Sequence, residues 1–249
     1  MDFYKAFNPK VSPGLGLEAT LINEDNASVV ADSIAETFCT KEPNYVILEV
    51  PKIVLFEKKC LPLCKKAIKE KLGVVCVNQQ TKEYVGSCVF VDMNNRDTEP
   101  YYTEKDEKLE KIEIMLKHAK EFETLHPHAK PQKNYEVIVL QSVSVNPRYS
   151  RLGIGEELIK VCIEEHPLIR NAKMILSEAI NESSLKVHLK AGFNVFWQKA
   201  YEQIEKEESP KLEYLKEITK HNEKAGFEAI KNLYVMGYFK NPPLLQPSL

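Results

Sequence analysis

The sequence contains no apolar stretch long enough to cross a bilayer, no internal repeat and no low-complexity tract. A transmembrane helix needs about 20 predominantly apolar residues, so no membrane partner is expected. An excess of charge of one sign is also lacking, because 34 basic residues face 36 acidic ones and the formal net charge is −2. Nucleic-acid-binding domains typically carry a basic patch, so the charge balance predicts no nucleic-acid partner.

Paired cysteine motifs are absent as well. None of the six cysteines forms a Cys-x-x-Cys pair or has histidine neighbours at metal-ligand spacing, and most lie in apolar runs. This pattern indicates reduced core thiols and predicts no metal site. No apolar run follows Asp2, Lys5 and Lys10 near the amino terminus, so a cytoplasmic location is expected. The cysteines are Cys39, Cys60, Cys64, Cys76, Cys88 and Cys162.

The 249 residues, 43% of them hydrophobic, are enough for one sizeable core. We therefore expect a single domain over 1–249. It would have an extended lead-in at 1–16, an insertion at about 92–133 and a proline-rich tail at 241–249. A protein partner, if there is one, would bind through the insertion or the tails.

Hydrophobic periodicity predicts a mixture of strands and helices along the whole chain. Asp25 or Asn26 is expected to cap the first helix. The predicted elements are a first strand over 17–22, helices with apolar stripes at Val30, Ile34 and Phe38 and at Leu61, Cys64, Ile68 and Leu72, a hairpin of 74–77 with 84–91, one amphipathic helix in the insertion, a helical segment at Leu212, Leu215 and Ile218, and a last strand over 233–239.

The most informative segment runs from a strand into a helix through two glycines. Valines alternate over 137–145, Gly153 and Gly155 follow, and a helical pattern begins directly afterwards. Glycines let the backbone approach a ligand closely, and the free N–H groups of a helix start favour phosphate. The segment is therefore interpreted as a phosphate cradle, with Arg148 and Arg151 adding positive charge beside it.

Spacing excludes two common phosphate motifs. A P-loop needs Gly-Lys-Ser/Thr, whereas Glu156 follows Gly155. The dinucleotide fingerprint needs a third small residue where this chain has Leu158. The Gly-x-Gly pattern alone leaves a plain turn as the alternative.

A second segment lies about 30 residues further on. The apolar run over 172–180 predicts a buried parallel strand. It leads into Asn181-Glu-Ser-Ser-Leu-Lys-Val-His-Leu-Lys-Ala-Gly-Phe193. By itself the Lys-Ala-Gly-Phe ending is also what a helix C-cap looks like.

Together these segments resemble motifs A and B of the GNAT superfamily of N-acetyltransferases. Ser150 to Gly155 occupies the Gln/Arg-x-x-Gly-x-Gly/Ala signature, with Ser150 in place of Gln or Arg. The resemblance implies an α/β GNAT fold, a central mixed sheet with splayed central strands flanked by helices, and acetyl-CoA as co-substrate. The implied acetyl-CoA-binding residues are Val143, Ser144, Val145, Ser150, Arg151, Leu152, Gly153, Ile154, Gly155, Glu156 and Asn181.

The long insertion and the segment Phe38-Cys-Thr-Lys-Glu-Pro43 are similar to the insect-type arylalkylamine N-acetyltransferases. The resemblance implies that Glu42 is the catalytic glutamate, although Lys41 replaces an acidic neighbour. It also implies a small-molecule amine as the acceptor and places Ser184 at the position of a functional serine. His188 stands where many GNAT enzymes have tyrosine.

The chemistry requires a proton acceptor and a proton donor. Amines are protonated at neutral pH, with pKa values of about 10, so a carboxylate must remove a proton before attack on the thioester. Glu42 is the first candidate and Glu178 the reserve. His188 is the candidate donor to the departing thiolate, assisted by Ser184. Each has a structural alternative: a helix-terminal glutamate, a polar strand end, a core histidine and a helix-capping serine.

The sequence thus predicts an acetyltransferase acting on a primary amine, most specifically an arylalkylamine. Two alternatives remain open. One is a non-catalytic module that keeps the fold for binding or structure, and the other is an acetyltransferase acting on a protein or peptide amine.

Overall fold

The fold is built on one eight-stranded mixed sheet. The computed structural model describes residues 3–7, 14–96, 106–126, 130–218 and 232–239. The order of the described strands is β1-β2-β3-β4-β5-β6-β8-β7, and among them only β5 and β6 pair in parallel. The strands are β1 (Tyr4–Phe7), β2 (Leu17–Leu21), β3 (Gly73–Asn78), β4 (Tyr84–Asp92), β5 (Val137–Val145), β6 (Met174–Ala179), β7 (Asn194–Ala200) and β8 (Asn232–Phe239).

Helices cover both faces of this sheet, which makes the fold mixed α/β as predicted. The helices are α1 (Ala27–Lys41), α2 (Pro43–Ile47), α3 (Lys52–Leu55), α4 (Leu61–Glu70), α5 (Glu107–Lys117), α6 (Lys120–Leu125), α7 (Ile154–Glu165), α8 (Glu182–Lys190) and α9 (Tyr201–Glu208). Helices α1 to α6 and α9 pack on one face, here named the α1 layer, whereas α7 and α8 form the α7 layer on the other. None of the helices in the described ranges has both the length and the apolar character needed to cross a membrane.

Strand β5 supplies side chains to both layers by alternation. Val137 and Val139 are buried against the α1 layer, and Ile138 and Leu140 against the α7 layer. Opposite Gln141 the register with β4 shifts between Val89 and Phe90. Such a bulge resets which face each following side chain points to.

The two parallel strands separate before they end. Pairing of β5 with β6 runs only from Val137↔Met174 to Leu140↔Ser177. Beyond it, β5 continues to Val145 on β4, and β6 continues to Ala179 on β8. The Ser177 hydroxyl donates to the Leu140 carbonyl at 2.9 Å across the last paired position. The sheet therefore opens into a split at the carboxyl ends of β5 and β6.

Most predicted elements are confirmed: the first helix, the hairpin of β3 and β4, the parallel strand β6 and the last strand β8. Asn26 stands at the N-cap of the first helix, but its side chain makes no capping hydrogen bond. All six cysteines are free thiols and five are buried. The predicted proline-rich tail and residues 97–105 of the insertion lie outside the described residues.

Three predicted elements differ from the structure. The first strand is β1, inside the predicted lead-in, because a four-residue edge strand with exposed and half-buried side chains leaves no hydrophobic signal. The described part of the insertion holds two helices, since the chain turns at His118 and Ala119 through hydrogen bonds to the third preceding residue. The helix after β7 begins at Tyr201, which was not predicted. In the predicted helical segment, Leu212 lies in a buried turn, whereas Leu215 and Ile218 are buried in a helical turn over 215–218.

Candidate active site

The loop between β5 and α7 presents free backbone donors. The backbone at Arg151 and Gly153 is left-handed, with φ of 65° and 72°. Helix α7 begins at Ile154, and the first intrahelical bond runs from the Glu157 N–H to the Gly153 carbonyl at 3.1 Å. The N–H groups of Ile154, Gly155 and Glu156 therefore have no carbonyl to bond within the helix. They lie at the positive end of a 12-residue helix, where an anion is favoured.

Gly155 marks the place where the two sequence motifs meet. A Cβ atom at this position would lie 3.6 Å from Val145, 3.7 Å from Val187 and 3.8 Å from Val143. These are ordinary contact distances, so a methyl group would fit the fold. A larger side chain would project into the space between β5, α7 and α8.

Arg148, one of the two arginines predicted to add positive charge beside this loop, has an acidic partner. Arg148 donates to Glu83 at 3.0 Å, and the Tyr149 hydroxyl donates to the same carboxylate at 3.0 Å. The charge of Arg148 is thus neutralised by Glu83 instead of facing the helix start. Ser150 and Arg151 are exposed beside the loop, and binding of the cofactor by their side chains stays a prediction.

The end of β5 also offers main chain. From Gln141 to Val145 the strand pairs with β4 alone among the described strands, so its edge facing the split is open. The Ser144 hydroxyl is turned into the α1 layer, 2.7 Å from the Tyr84 hydroxyl and 2.9 Å from that of Ser87. Val143, Ser144 and Val145 were predicted to bind acetyl-CoA, and Ser144 can therefore offer it only its backbone.

Glu42 lies buried at the junction of α1 and α2. Its Oε2 accepts a hydrogen bond from the Asn181 amide, while its Oε1 has no hydrogen-bond partner among the described residues. Burial raises the pKa of Glu42 to about 7, against the opposing effect of Asn181. A carboxyl with this pKa can accept a proton near neutral pH.

Asn181 was predicted to contact the cofactor, and the structure gives it two other partners. Its Oδ1 accepts from the Ser184 N–H at 2.7 Å and so caps α8, while its amide holds Glu42. The two residues are 139 positions apart in the chain. The motif asparagine thereby joins the predicted base to the start of the second motif helix.

Aromatic residues that the sequence analysis missed surround Glu42. The Tyr214 hydroxyl donates to Asn44 Oδ1 at 3.1 Å, and the Tyr201 hydroxyl donates to the Ile180 carbonyl at 3.1 Å. Burial raises the pKa of both tyrosines. Tyr214 stands between two residues of the predicted apolar stripe, and nothing in its local sequence signals this contact.

His188 is buried on α8, one turn after Ser184. Its Nδ1 lies 2.7 Å from the Ser184 carbonyl oxygen, which can only accept, so Nδ1 carries the proton. Burial lowers the pKa of His188, and its Nε2 has no hydrogen-bond partner in the described ranges. The imidazole is therefore neutral, and its one proton is held by the backbone. This geometry disfavours the proton-donor role expected from the sequence.

A small cleft lies at the split on the side of the α1 layer, and its free volume of about 10 Å³ is room for about one water molecule. Arg96 and Glu178 form an ion pair within it. Glu178, the predicted reserve base, thus has a cationic partner. The apolar wall consists of Ala119, Phe122, Val139, Leu176 and Val235.

Comparison with known proteins gives a family and a fold. The acetyltransferase (GNAT) family model matches residues 54–193, more than half of the chain. No curated protein sequence matches this chain.

Solved structures resemble the whole fold. A protein of the yellow fever mosquito Aedes aegypti, described as arylalkylamine N-acetyltransferase 7, superposes with a TM-score of 0.71 at 15% identity, over 96% of this chain and 93% of that one. The C-terminal condensation domain of Ebony, in complex with β-alanyl-dopamine, gives 0.65 at 12% identity, over 90% and 99%. The yncA protein of Salmonella typhimurium, with its cofactor acetyl-CoA, gives 0.50 at 12% identity, over 94% and 99%. At these identities the likeness concerns the fold. Because the family model spans more than half of the chain, the protein belongs to the acetyltransferase (GNAT) family and is an N-acetyltransferase.

Proposed function

We propose that this acetyltransferase transfers the acetyl group of acetyl-CoA directly to a small primary amine, most specifically an arylalkylamine. The carrying observation is the split between β5 and β6. It has free backbone donors on the side of α7, and carboxylates on the side of the α1 layer. An acyl donor and an amine entering from opposite faces would meet there.

The chain's own groups fit acetyl-CoA on the α7 side. The N–H groups from Arg151 to Glu156 would hold the pyrophosphate, because the helix start leaves donors free. The open edge of Val143 to Val145 would bond the pantetheine amides. When bound, acetyl-CoA supplies a thioester whose carbonyl carbon can form the new bond to nitrogen as the bond to sulfur breaks.

We assign the proton acceptor to Glu42. An ammonium group with a pKa of about 10 must lose a proton before its nitrogen can attack. The Glu42 carboxyl, with its pKa raised to about 7 by burial, is a stronger base than an exposed glutamate. Asn181 would hold the carboxylate in place throughout.

Ser184 is our candidate for the hydrogen bond to the departing sulfur. Its hydroxyl lies 3.4 Å from His188 Nδ1, whose proton is given to the Ser184 carbonyl. His188 would then act as a positioning residue that fixes the first turn of α8. The proton of the leaving thiol would come through Ser184 from solvent.

The acceptor would enter at the cleft of the α1 layer, where the Arg96 side chain would have to move away to make room beside Phe122. Burying an aromatic ring contributes a few kcal/mol at about 25 cal/mol per Å² of apolar surface. Arylalkylamines should therefore be better acceptors than short aliphatic amines. We place the activity in the cytoplasm, where free thiols stay reduced.

A panel of acceptors tests this proposal. Purified protein is mixed with acetyl-CoA and tryptamine, phenethylamine, a polyamine or a lysine peptide, and free thiol is measured. We expect release with the two arylalkylamines above the rate without amine. Transfer to the peptide alone would favour a protein acceptor, and acetyl-CoA binding without transfer to any of the four would favour a non-catalytic module.

A further inference from the structure

The Arg96–Glu178 ion pair forms part of the lining of the proposed acceptor cleft. Both side chains are largely enclosed, with 13% and 16% of their surfaces exposed. Glu178 follows Ser177, the last β6 residue paired with β5, and so stands where the split opens. A cation is therefore already bound at the point where an acceptor would enter.

Arg96 reaches this place from a firmly held base. Asp92 is fully buried at the end of β4, and its carboxylate accepts from the N–H groups of Asn94 at 3.1 Å and Tyr135 at 2.9 Å. The Asp92 N–H in turn donates to Glu70 at 2.9 Å. Both ends of the insertion are thus fixed to α4 and to each other. These contacts fix the main chain from which Arg96 projects.

The walls of the cleft make this pair chemically selective. Apart from the ion pair, the lining is largely apolar. A carboxylate in such surroundings requires a cationic partner, because a buried charge without one is strongly destabilising. A protonated amine brings that charge, and its hydrocarbon part matches the remaining wall. A neutral molecule of the same shape cannot take the place of the guanidinium.

We propose that Glu178 is the docking carboxylate for the protonated acceptor amine, and that Arg96 occupies this position as a tethered cation until the amine displaces it. The inference rests on the proposed function, because it places the acceptor in this cleft. It adds a binding residue and an internal competitor. The incoming ammonium group exchanges with the guanidinium, so the carboxylate keeps a cationic partner throughout.

Binding of two isosteric probes tests the proposal without any turnover. Phenethylamine carries the ammonium group and 2-phenylethanol lacks it, and calorimetry gives the dissociation constant of each. The readout is the preference for the amine over the alcohol, because a simple change of cleft volume affects both probes alike.

Arg96→Ala should raise this preference about tenfold, corresponding to about 1.4 kcal/mol. Arg96→Lys should leave it near the wild-type value, because a cation remains tethered. Glu178→Gln should remove most of the preference. Lys111→Ala, which breaks an exposed pair with Glu107 in the same insertion, is the matched control and should change nothing.

The double variant Arg96→Ala/Glu178→Gln guards against a single variant that fails to fold. It removes both charges and should bind the two probes equally. The proposal is overturned if Arg96→Ala leaves the preference unchanged, if Glu178→Gln retains it, or if folded Arg96→Ala binds no phenethylamine. Absence of acetyl transfer together with the predicted binding order would reject the proposed function and leave this inference standing.

Discussion

The Glu42 carboxyl is buried beside Asn181, and burial raises its pKa from 4.5 to about 7. The native state therefore holds a proton that the unfolded chain releases between these two values. Under proton linkage this contribution to stability is complete below about pH 4 and is lost as the pH rises to about 7. A proton acceptor that is ready near neutral pH thus destabilises the fold at higher pH.

Glu42→Gln should abolish this loss. At pH 8 we expect the variant to be more stable than the wild type by up to about 3 kcal/mol, since each pKa unit corresponds to about 1.36 kcal/mol. Near pH 4 the two proteins should differ little. Urea unfolding at both pH values measures the effect, with exposed Glu24→Gln as the control. Equal pH dependence of the Glu42→Gln and wild-type proteins would show that Glu42 carries no buried charge.

Gly155 permits a clean separation of folding from cofactor binding. The Cβ contacts of 3.6 to 3.8 Å leave the fold room for a methyl group, whereas Gly153 has a left-handed backbone that a branched residue would strain. We expect Gly155→Val to retain its melting temperature to within a few degrees and to weaken acetyl-CoA binding at least about 100-fold. Tight acetyl-CoA binding by folded Gly155→Val would reject the cradle assignment.

The residues of the site differ in how far the sequence predicts them. The Gly-x-Gly pair and the Glu42-Pro43 segment are local signals. The structure places the glycines at the start of α7 and Glu42 at the junction of α1 and α2. The contact of Glu42 with Asn181 and that of Arg96 with Glu178 join residues 139 and 82 positions apart. Such contacts follow from the arrangement of whole strands, which local pattern does not determine.

At the scale of elements, a buried lysine joins the helices of the insertion to α9. Lys199 of β7 donates to Glu121 and Glu207 at 2.6 Å each, and its Nζ lies 3.1 Å from His118 Nδ1. His118 caps the end of α5, Glu121 lies in the first turn of α6, and Glu207 belongs to α9. His118, Glu121 and Glu207 also have metal-ligand spacing, but the ammonium group already supplies the positive charge between them.

Lys199→Met should therefore loosen the cleft without touching the cofactor side. We expect a loss of roughly 1–2 kcal/mol in stability, because the Lys199 side chain is buried while Glu121 and Glu207 are 44% and 41% exposed. The KM for the amine should rise while the acetyl-CoA affinity stays unchanged. Lys206→Met, which breaks the exposed pair with Glu202 on α9, is the control and should cost less than about 0.5 kcal/mol. Equal effects of the two substitutions would show that the Lys199 contacts do not hold these helices together.

The elements were predictable where periodicity extended over many residues. The alternation of β5 and the apolar run of β6 fixed both strands and their parallel relation through the intervening α7. The break at His118 was not predictable, because the polar contacts that accompany it come from β7 and α9. The insertion of β8 between β6 and β7 was equally hidden, since strand order depends on long-range pairing.

At the scale of the whole molecule, the split of β5 and β6 connects the two faces of the sheet. The α7 layer supplies backbone donors, and the α1 layer supplies Glu42, Glu178 and the apolar wall. This division separates the requirements of an acyl donor from those of an amine. Changes on one face should therefore alter the affinity for one substrate alone.

The most direct test is the initial rate of thiol release from acetyl-CoA with phenethylamine, compared between the wild type and Glu42→Gln, with acetyl-CoA affinity measured on both. We predict amine-dependent release by the wild type, and a rate about 10²- to 10⁴-fold lower in the variant at unchanged acetyl-CoA affinity. No amine-dependent release by wild-type protein that binds acetyl-CoA, or near-normal turnover of Glu42→Gln, would contradict the account.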